Sequence, residues 1–295
     1  MTTLDLLLCT RNRPERAATV VRDVVAQDCP SLARIVVIDQ SDGNALEGQL
    51  PADSRLVYRH VPPQGLPAAR NTALNDAHSD VVLFVDDDVR LLPGCLQAHV
   101  SAYSDPKVGA VVGRLVERHA VGNVRHTANY VGWHGRVITQ LAGLHPTRVS
   151  VTKGANMSFR RVALLDAGGF DARFGGTALL EDAEASDRVR AGGWTVQFVP
   201  AAEVVHLSDP VGGVRQDSED RTLYWRFRNT GLFLRSRRGW LGTVAPACTF
   251  SLIAARHAVR RRSPAAARRL LAGFAQGLRD AATPRQGYTQ KVTTE

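Results

Sequence analysis

Long apolar runs are absent from this 295-residue chain, and so is any sign of a disulfide framework. No segment supplies the roughly 20 consecutive apolar residues that a membrane-spanning helix requires. The few cysteines lack the spacing of metal ligands and are scattered at Cys9, Cys29, Cys95 and Cys248. Isolated cysteines of this kind indicate a reduced, cytoplasmic protein. Because no basic region precedes the short apolar run at the N-terminus, we expect a first strand there rather than a signal peptide.

Two common nucleotide-binding motifs are missing as well. No GxGxxG follows the first apolar segment, which argues against a dinucleotide oxidoreductase. No GxxxxGK followed by Ser or Thr occurs, which excludes a P-loop enzyme. A nucleotide, if one binds, must be held by side chains at strand ends and by a metal ion at its phosphates.

Positive charge exceeds negative charge, with a formal net charge of +9 and a pI near 10.0. Such an excess favours an anionic partner: a nucleotide phosphate, an anionic membrane surface or nucleic acid. Many of the arginines lie between Arg256 and Arg269, among alanines and leucines. This amphipathic pattern predicts either a helix at a membrane surface or partner, or a solvated helix that caps the fold. Nucleic acid is the weakest option, because no reader motif is present.

The N-terminal half alternates predicted strands with predicted helices, which indicates an α/β fold with a mostly parallel sheet. The predicted strands are Leu4–Cys9, Arg34–Asp39, Leu56–His60 and Val81–Val85. Residues 1–115 therefore form a Rossmann-like nucleotide-binding half. We expect a second half at 116–235, basic helices at 236–280 and a disordered polar tail at 281–295.

The central stretch VVLFVDDDV joins an apolar strand to Asp86, Asp87 and Asp88. Ligands bind at the carboxyl ends of strands in open α/β sheets, and three adjacent carboxylates need a compensating positive group. A divalent cation with oxygen ligands is the simplest candidate, and Asp86 and Asp88 project to one side of an extended chain. The alternative is a solvated acidic turn after a strand.

Further candidate residues lie in the second half. Gly154 and Ala155 precede Asn156 and allow a ligand to approach the backbone closely. Glu181 and Asp182 open a helix, where acidic residues are also favoured for purely structural reasons. We expect two short strands at Trp194 to Pro200 and at Glu203 to His206, so that the histidine ends a strand, as the aspartates do.

The order of these motifs resembles that of the family 2 glycosyltransferases, inverting enzymes with the GT-A fold. The motifs that carry the resemblance are CTRNRP, VVIDQSDG, GLPAARNTAL, FVDDDV, KGANMSFRR and LLEDAEASDR, followed by a late histidine and a helix with Trp-Arg and Arg-Asn pairs. The resemblance covers roughly residues 4–234. It implies that a nucleotide-diphosphate sugar binds the N-terminal half and that the acceptor binds the C-terminal half.

The resemblance also implies roles for individual residues. It makes Asp182 the general base and Glu181 its neighbour in the ED motif. The donor nucleotide is expected on Thr10, Arg11, Asp39, Arg70, Asp86 and Asp87. The metal ion, Mn2+ or Mg2+, is expected on Asp88, Asp86 and His206. The sugar or acceptor is expected on Gly154, Asn156 and Trp225.

Departures from the family pattern refine this hypothesis. The QxxRW motif and the membrane helices of processive synthases are missing, which favours the addition of one or a few sugars. Gln40 follows Asp39 where an acidic residue is common, so UDP and dTDP donors both stay open. The acceptor is either lipid-linked, at the inner face of the membrane, or a small molecule. Two alternatives are a non-catalytic sugar-nucleotide-binding or membrane-scaffold protein, and a sugar nucleotidyltransferase, although CTRNRPER lacks the glycines usual in the latter.

Overall fold

A central mixed β-sheet organises the computed structural model, which describes residues 2–117, 127–207 and 218–288. In chain order, the strands of the described residues are β1 Leu4–Thr10, β2 Leu32–Asp39, β3 Leu56–His60, β4 Val81–Val85, β5 Val89–Leu91, β6 Val108–Glu117, β7 Ala128–Val131, β8 Val137–Gln140, β9 Thr147–Val149, β10 Asn156–Arg160 and β11 Thr195–His206. The helices are α1 Pro14–Val25, α2 Leu66–Asp76, α3 Cys95–Ala102, α4 Arg161–Asp166, α5 Glu181–Ala191, α6 Glu219–Arg238, α7 Val244–Arg261 and α8 Pro264–Asp280.

The large sheet has the strand order β3-β2-β1-β4-β10-β6-β11-β5, and β9 pairs with β11. Strands β3, β2, β1 and β4 are mutually parallel, whereas β10 runs antiparallel between β4 and β6. Strand β11 is parallel to β6 and antiparallel to β5 and β9. The predicted α/β class with a mostly parallel sheet is therefore confirmed. Strands β7 and β8 form a separate antiparallel pair.

Burial of both faces explains why the central strands are continuous apolar runs. All five residues of β4 are buried, and they contribute alternately to a core under α1 and α3 and to a core under α2, α4 and α5. The two strands expected at Trp194 to Pro200 and Glu203 to His206 are one strand, β11, whose register shifts between Val199 and Glu203. The shift keeps pairing with β6 on both sides, so that prediction of two strands was wrong.

A third hydrophobic core joins the C-terminal helices to the rest of the chain. Phe227 and Leu234 of α6, Phe250 of α7 and Phe274 of α8 pack together with Phe174. The Phe250 ring stacks on Phe274 at a centroid distance of 5.6 Å and meets Phe227 edge-on at 4.8 Å. Within the described residues, none of the helices combines the length and the apolar character needed to cross a membrane.

The segment after α8 contacts the end of α4. The Arg285 guanidinium donates hydrogen bonds to the carbonyl oxygens of Ala167, Gly168 and Gly169. The Tyr288 amide donates to the Gly168 carbonyl at 2.8 Å. These contacts join residues 285–288 to the end of α4, because arginine supplies the donors that the carbonyls there lack. Disorder of the polar tail from residue 281 stays a prediction. Residues 289–295 lie outside the described residues.

Asp5 lies near the start of β1 and stabilises the edge of the sheet opposite Asp86, Asp87 and Asp88. Its fully buried carboxylate accepts hydrogen bonds from the His78 amide at 2.7 Å, the Ser79 amide at 3.0 Å and the Ser79 hydroxyl at 2.7 Å. These bonds tie the start of β1 to the segment that leads into β4.

We expect Asp5→Asn to lower the free energy of unfolding by about 2 kcal/mol, because a neutral amide accepts hydrogen bonds more weakly than a carboxylate and its NH2 group replaces one buried acceptor. Urea denaturation measures the change. Asp80→Asn is the matched control, since exposed Asp80 accepts two similar bonds from Thr3. An equal loss of unfolding free energy in the two variants would show that the buried carboxylate of Asp5 stabilises the protein no more than the exposed one of Asp80.

Candidate active site

The ends of three parallel strands bring the N-terminal candidate residues together. Thr10 at the end of β1 pairs in register with Asp39 at the end of β2, and the three aspartates follow β4 on the other side of β1. The side chains expected to bind the donor therefore lie along one edge of the sheet.

Asp87 is held by α1 and by β1. Its carboxylate accepts hydrogen bonds from the Thr10 hydroxyl at 2.7 Å and from Arg13 Nη1 at 2.8 Å. Burial raises the pKa of Asp87 to about 6, although the bonds from Thr10 and Arg13 oppose the rise. Asp87 therefore has protein partners on both oxygens, and its expected contact with the donor stays a prediction.

Arg13 is a site residue that the sequence analysis missed. Its Nη1 atom also lies 3.5 Å from Asp88 Oδ2, and its side chain is 9% exposed. The expected residue, Arg11, instead lies 3.5 Å from Asp42 at the surface, where 52% of its side chain is exposed. Asn12, between the two arginines, has a φ of 56°, a left-handed conformation that asparagine tolerates. The sequence could have indicated Arg13, because a run of three carboxylates requires a buried cation nearby and the CTRNRP motif offers two arginines.

Asp88 and His206 meet as the sequence analysis expected. Strand β5 pairs antiparallel with the end of β11, which sets His206 opposite Val89. As a result, His206 Nε2 lies 3.2 Å from Asp88 Oδ1, with both side chains largely buried. The pair is the contact between the FVDDDV motif and the late histidine.

The Asp88–His206 pair fits a divalent cation whose remaining ligands come from a substrate. Carboxylate oxygen and imidazole nitrogen both suit Mn2+, and Mg2+ is commonly held by one or two carboxylates together with substrate phosphates. Across residues 2–117, 127–207 and 218–288, no three or more His, Cys, Asp or Glu side chains cluster as a metal site. The chain turns at Asp87 and Asp88 instead of staying extended, and Asp86 contacts Arg70, so an ion shared by Asp86 and Asp88 stays a prediction.

Asp86 points to a second cluster, centred on the Arg70 guanidinium. Arg70 contacts Asp86 Oδ1 at 3.2 Å and the Gly154 carbonyl at 3.2 Å, and it forms an ion pair with Glu181. Its side chain is only 3% exposed and lies over the rings of Phe84 and Phe170. Contact of Arg70 with a base or diphosphate stays a prediction, since these protein groups occupy the guanidinium here.

Glu181 is the buried partner in this cluster. Burial raises the pKa of Glu181 to about 8, against the opposing effect of the Arg70 charge. Its second oxygen, Oε2, has no hydrogen-bond partner among the described residues. A carboxylate in this position depends on Arg70 for its charge compensation.

Asp182 opens α5 beside a cavity. Its Oδ2 atom accepts the Gly154 amide at 2.8 Å, and its Oδ1 atom accepts the Ala183 amide at 2.7 Å. The half-buried carboxylate lines a cavity of about 180 Å³. The cavity is also lined by Thr139, Thr152, Lys153, Leu179 and Arg226. Leu180, with a φ of 77°, turns the chain sharply into the helix.

Gly154 links the two clusters. A Cβ atom at this position would lie 2.8 Å from Arg70 Nη2, so any other residue here would displace the guanidinium. The Gly154 carbonyl accepts from Arg70 while the Gly154 amide donates to Asp182. The predicted close approach occurs, but toward protein side chains.

Asn156 is placed differently from the prediction. Its amide donates to the Ala202 carbonyl at 2.8 Å and its oxygen lies 2.9 Å from His99 Nε2. Because these bonds occupy a side chain that is 1% exposed, Asn156 stabilises the sheet interior and does not face a sugar. Sequence alone could not distinguish the two faces of β10.

Trp225 and Asp39 also have protein partners. The indole packs on the loop before α5, where a Cβ atom at Gly175 would lie 2.9 Å from it, while the adjacent Arg226 faces the cavity. Fully buried Asp39 accepts hydrogen bonds from Ser41 and from the Tyr58 hydroxyl at 3.1 Å. Asp39 could bind the base of a nucleotide only if Ser41 or Tyr58 released its hydrogen bond. The contact of Asp39 with the nucleotide base stays a prediction.

The sequence is similar to those of known glycosyltransferases. Residues 5–167, more than half of the chain, match the family model described as glycosyl transferase family 2. The pre-mycofactocin glycosyltransferase of Mycobacterium tuberculosis is 28% identical over 179 residues, 59% of this chain and 37% of that protein. The glucosyl-dolichyl phosphate glucuronosyltransferase of Haloferax volcanii is 24% identical over 178 residues, 58% of this chain and 57% of that protein. The chain thus spans between about a third and somewhat over half of their lengths.

Solved structures share the fold at low sequence identity. S. aureus TarS in complex with UDP-GlcNAc superposes with a TM-score of 0.64 at 14% identity, covering 95% of this chain and 82% of that one. The mannosyltransferase PcManGT from Pyrobaculum calidifontis, in complex with GDP-Man and Mn2+, gives 0.57 at 15% identity, covering 95% and 87%. The sheet order, the aspartates at the end of β4 and the family match agree: the chain has the GT-A fold and belongs to glycosyl transferase family 2.

Proposed function

We propose that the protein is a metal-dependent inverting glycosyltransferase that moves one sugar from a nucleotide-diphosphate sugar to an acceptor hydroxyl. The observation that carries this proposal is the Asp182 carboxylate, fixed by two backbone amides at the wall of a cavity. A carboxylate oriented in this way is suited to accept a proton from a hydroxyl group. The family membership of the chain supports the same reaction class.

A continuous set of contacts joins the acid cluster after β4 to this carboxylate. Asp86 contacts Arg70, and Arg70 contacts both Glu181 and the Gly154 carbonyl. Gly154 in turn donates to Asp182. Arg70 therefore fixes the position of the general base relative to the donor side of the site, which makes it a positioning residue.

The donor side would be formed by Asp88 and His206, which would hold Mn2+ or Mg2+. When bound, the cation neutralises charge on the diphosphate oxygens of the donor. Arg13 keeps Asp87 and Asp88 in place from the other side. The pair of carboxylates therefore does not depend on the cation alone for charge compensation.

The proposed reaction is one direct displacement. Asp182 accepts the proton of the acceptor hydroxyl as the oxygen forms a bond to the anomeric carbon. The bond from that carbon to the diphosphate breaks, and the nucleoside diphosphate leaves with the bonding electrons. Because attack and departure occur on opposite faces, the anomeric configuration inverts. Lys153 and Arg226 line the same cavity and favour an acceptor that carries negative charge.

The donor and the acceptor are proposed only as chemical classes. UDP and dTDP sugars are favoured by the sequence motifs, while the structural neighbours were solved with UDP-GlcNAc or GDP-Man. The motifs of processive synthases are absent from the sequence, so we propose transfer of a single sugar. Lipid-linked and small-molecule acceptors both fit a hydroxyl delivered to the Asp182 cavity.

We expect Asp182→Asn to lower the turnover number at least about a hundredfold, because the amide cannot take up the hydroxyl proton. Donor binding, measured as the thermal shift caused by the nucleotide sugar, stays unchanged. Asp187→Asn is the matched control on the same helix, since Asp187 pairs with Arg237 away from the cavity. Transfer by Asp182→Asn at the rate of the control would remove Asp182 from the mechanism.

Asp88→Ala and His206→Ala are each expected to abolish the part of the UDP-induced thermal shift that depends on Mn2+. Loss of either side chain would leave too few protein ligands to hold the cation beside the diphosphate. The control is His78→Ala, an exposed histidine that precedes β4. A metal-dependent shift that survives in both site variants would rule out this pair as the metal site.

Arg70→Met should lower the free energy of unfolding by about 3 to 5 kcal/mol, because it leaves Glu181 buried without its cation. The double variant Arg70→Met/Glu181→Gln should recover much of that loss while transfer stays impaired. Chemical denaturation of the four proteins in this cycle gives the coupling energy. If the losses of unfolding free energy from the two substitutions simply add, Arg70 and Glu181 are not energetically coupled, and the proposed link through this ion pair is wrong.

A further inference from the structure

Helix α7 has an apolar face that the rest of the protein leaves uncovered. Val244, Leu252 and Val259 are 63%, 65% and 78% exposed. Cys248 and Ala255 are also exposed and occupy the positions between them. The spacings of four, four, three and four residues place all five on one side of the helix. We name this face the α7 stripe.

The opposite side of α7 already packs inside the protein. Phe250 and Ala254 are buried there in the third hydrophobic core. The helix therefore does not need the α7 stripe for its own folding. An exposed apolar surface of this length on a helix is typical of an interaction site.

The stripe continues into the turn that precedes α7. Trp240 is 62% exposed and Leu241 is 91% exposed. The Arg235 guanidinium lies 4.5 Å from the centre of the Trp240 ring, which places a charge and an aromatic ring side by side. Tryptophan and arginine in this combination favour the boundary between water and lipid.

Positive charge is concentrated in the segment that carries the stripe. Residues 235–280 contain ten arginines and one aspartate, a net charge of +9, which equals the formal net charge of the whole chain. Arg260 and Arg261 pair with Glu219. Four other exposed arginines have no carboxylate partner among the described residues: Arg256, Arg262, Arg268 and Arg269. The remainder of the chain carries as many acidic as basic residues, so the charge is concentrated on this region.

We propose that the α7 stripe and the turn at Trp240 and Leu241 lie in the headgroup layer of an anionic lipid bilayer. The apolar side chains enter the boundary with the acyl chains, and exposed arginines of the same segment, such as Arg256 one turn from Leu252, contact lipid phosphates. A second copy of the chain is a poorer occupant, because it would bring two surfaces of the same charge together. Nucleic acid would match the arginines but not the apolar stripe.

This surface goes beyond glycosyl transfer, and its test requires neither donor nor acceptor. The wild-type protein is mixed with vesicles of phosphatidylcholine alone, or with vesicles in which a third of the lipid is phosphatidylglycerol, and floated through a density gradient. We expect binding to the anionic vesicles only, with release at high salt. Thermal shift with nucleotide is measured separately, so a failed membrane test leaves the transfer proposal standing and the reverse also holds.

The triple variant Leu241→Ser/Leu252→Ser/Val259→Ser should lose about tenfold in partitioning to anionic vesicles, because serine contributes no apolar burial. The control is Leu144→Ser/Val162→Ser, which changes two exposed apolar residues elsewhere. Brominated lipid should quench wild-type tryptophan fluorescence, and Trp240→Phe should remove that quenching. Binding by the triple variant equal to that of the control, no flotation of the wild type, or a dimer that dissociates in the triple variant would each overturn the proposal.

Discussion

Repulsion among Asp86, Asp87 and Asp88 is the constraint to which the rest of the site responds. Three carboxylates at the end of one buried strand are stable only when positive or hydrogen-bonding groups reach them from several directions. Arg13 comes from the start of α1, Arg70 from α2 and His206 from the end of β11. Each of these partners fixes the position of a different element, so that the acidic turn determines how the helices and β11 meet at the edge of the sheet.

Much of the fold could be predicted from sequence because its strands are apolar on both faces. The continuous runs before Thr10, Asp39 and Asp86 leave little choice but parallel central strands, and the ends of such strands meet by geometry alone. The pairing of Asp88 with His206 was implied by the family resemblance, and the antiparallel pairing of β5 with β11 produces it. Strand ends are therefore the part of a site that a sequence shows most clearly.

The directions in which individual side chains point could not be predicted from the sequence. Arg11 and Arg13 are the same residue type two positions apart, and only the structure shows that Arg13 turns inward while Arg11 stays half exposed. Asn156 lies on a strand whose two faces both carry small and apolar neighbours, so its hydrogen bonds to Ala202 and His99 could not be inferred. The contacts of Arg285 join residues more than a hundred positions apart, a distance over which local patterns carry no information.

The contacts of Arg285 also set the order in which the chain can assemble. Arg285 binds the carbonyl of Ala167, which precedes it by 118 positions, and the adjacent Gly168–Gly169 turn leads to Phe170, whose backbone bonds Asn71 next to Arg70. During synthesis, this long loop closes only after all three C-terminal helices have left the ribosome. A nascent chain that already contains every proposed catalytic residue therefore still lacks this support behind α2 until Arg285 has been synthesised and has left the ribosome.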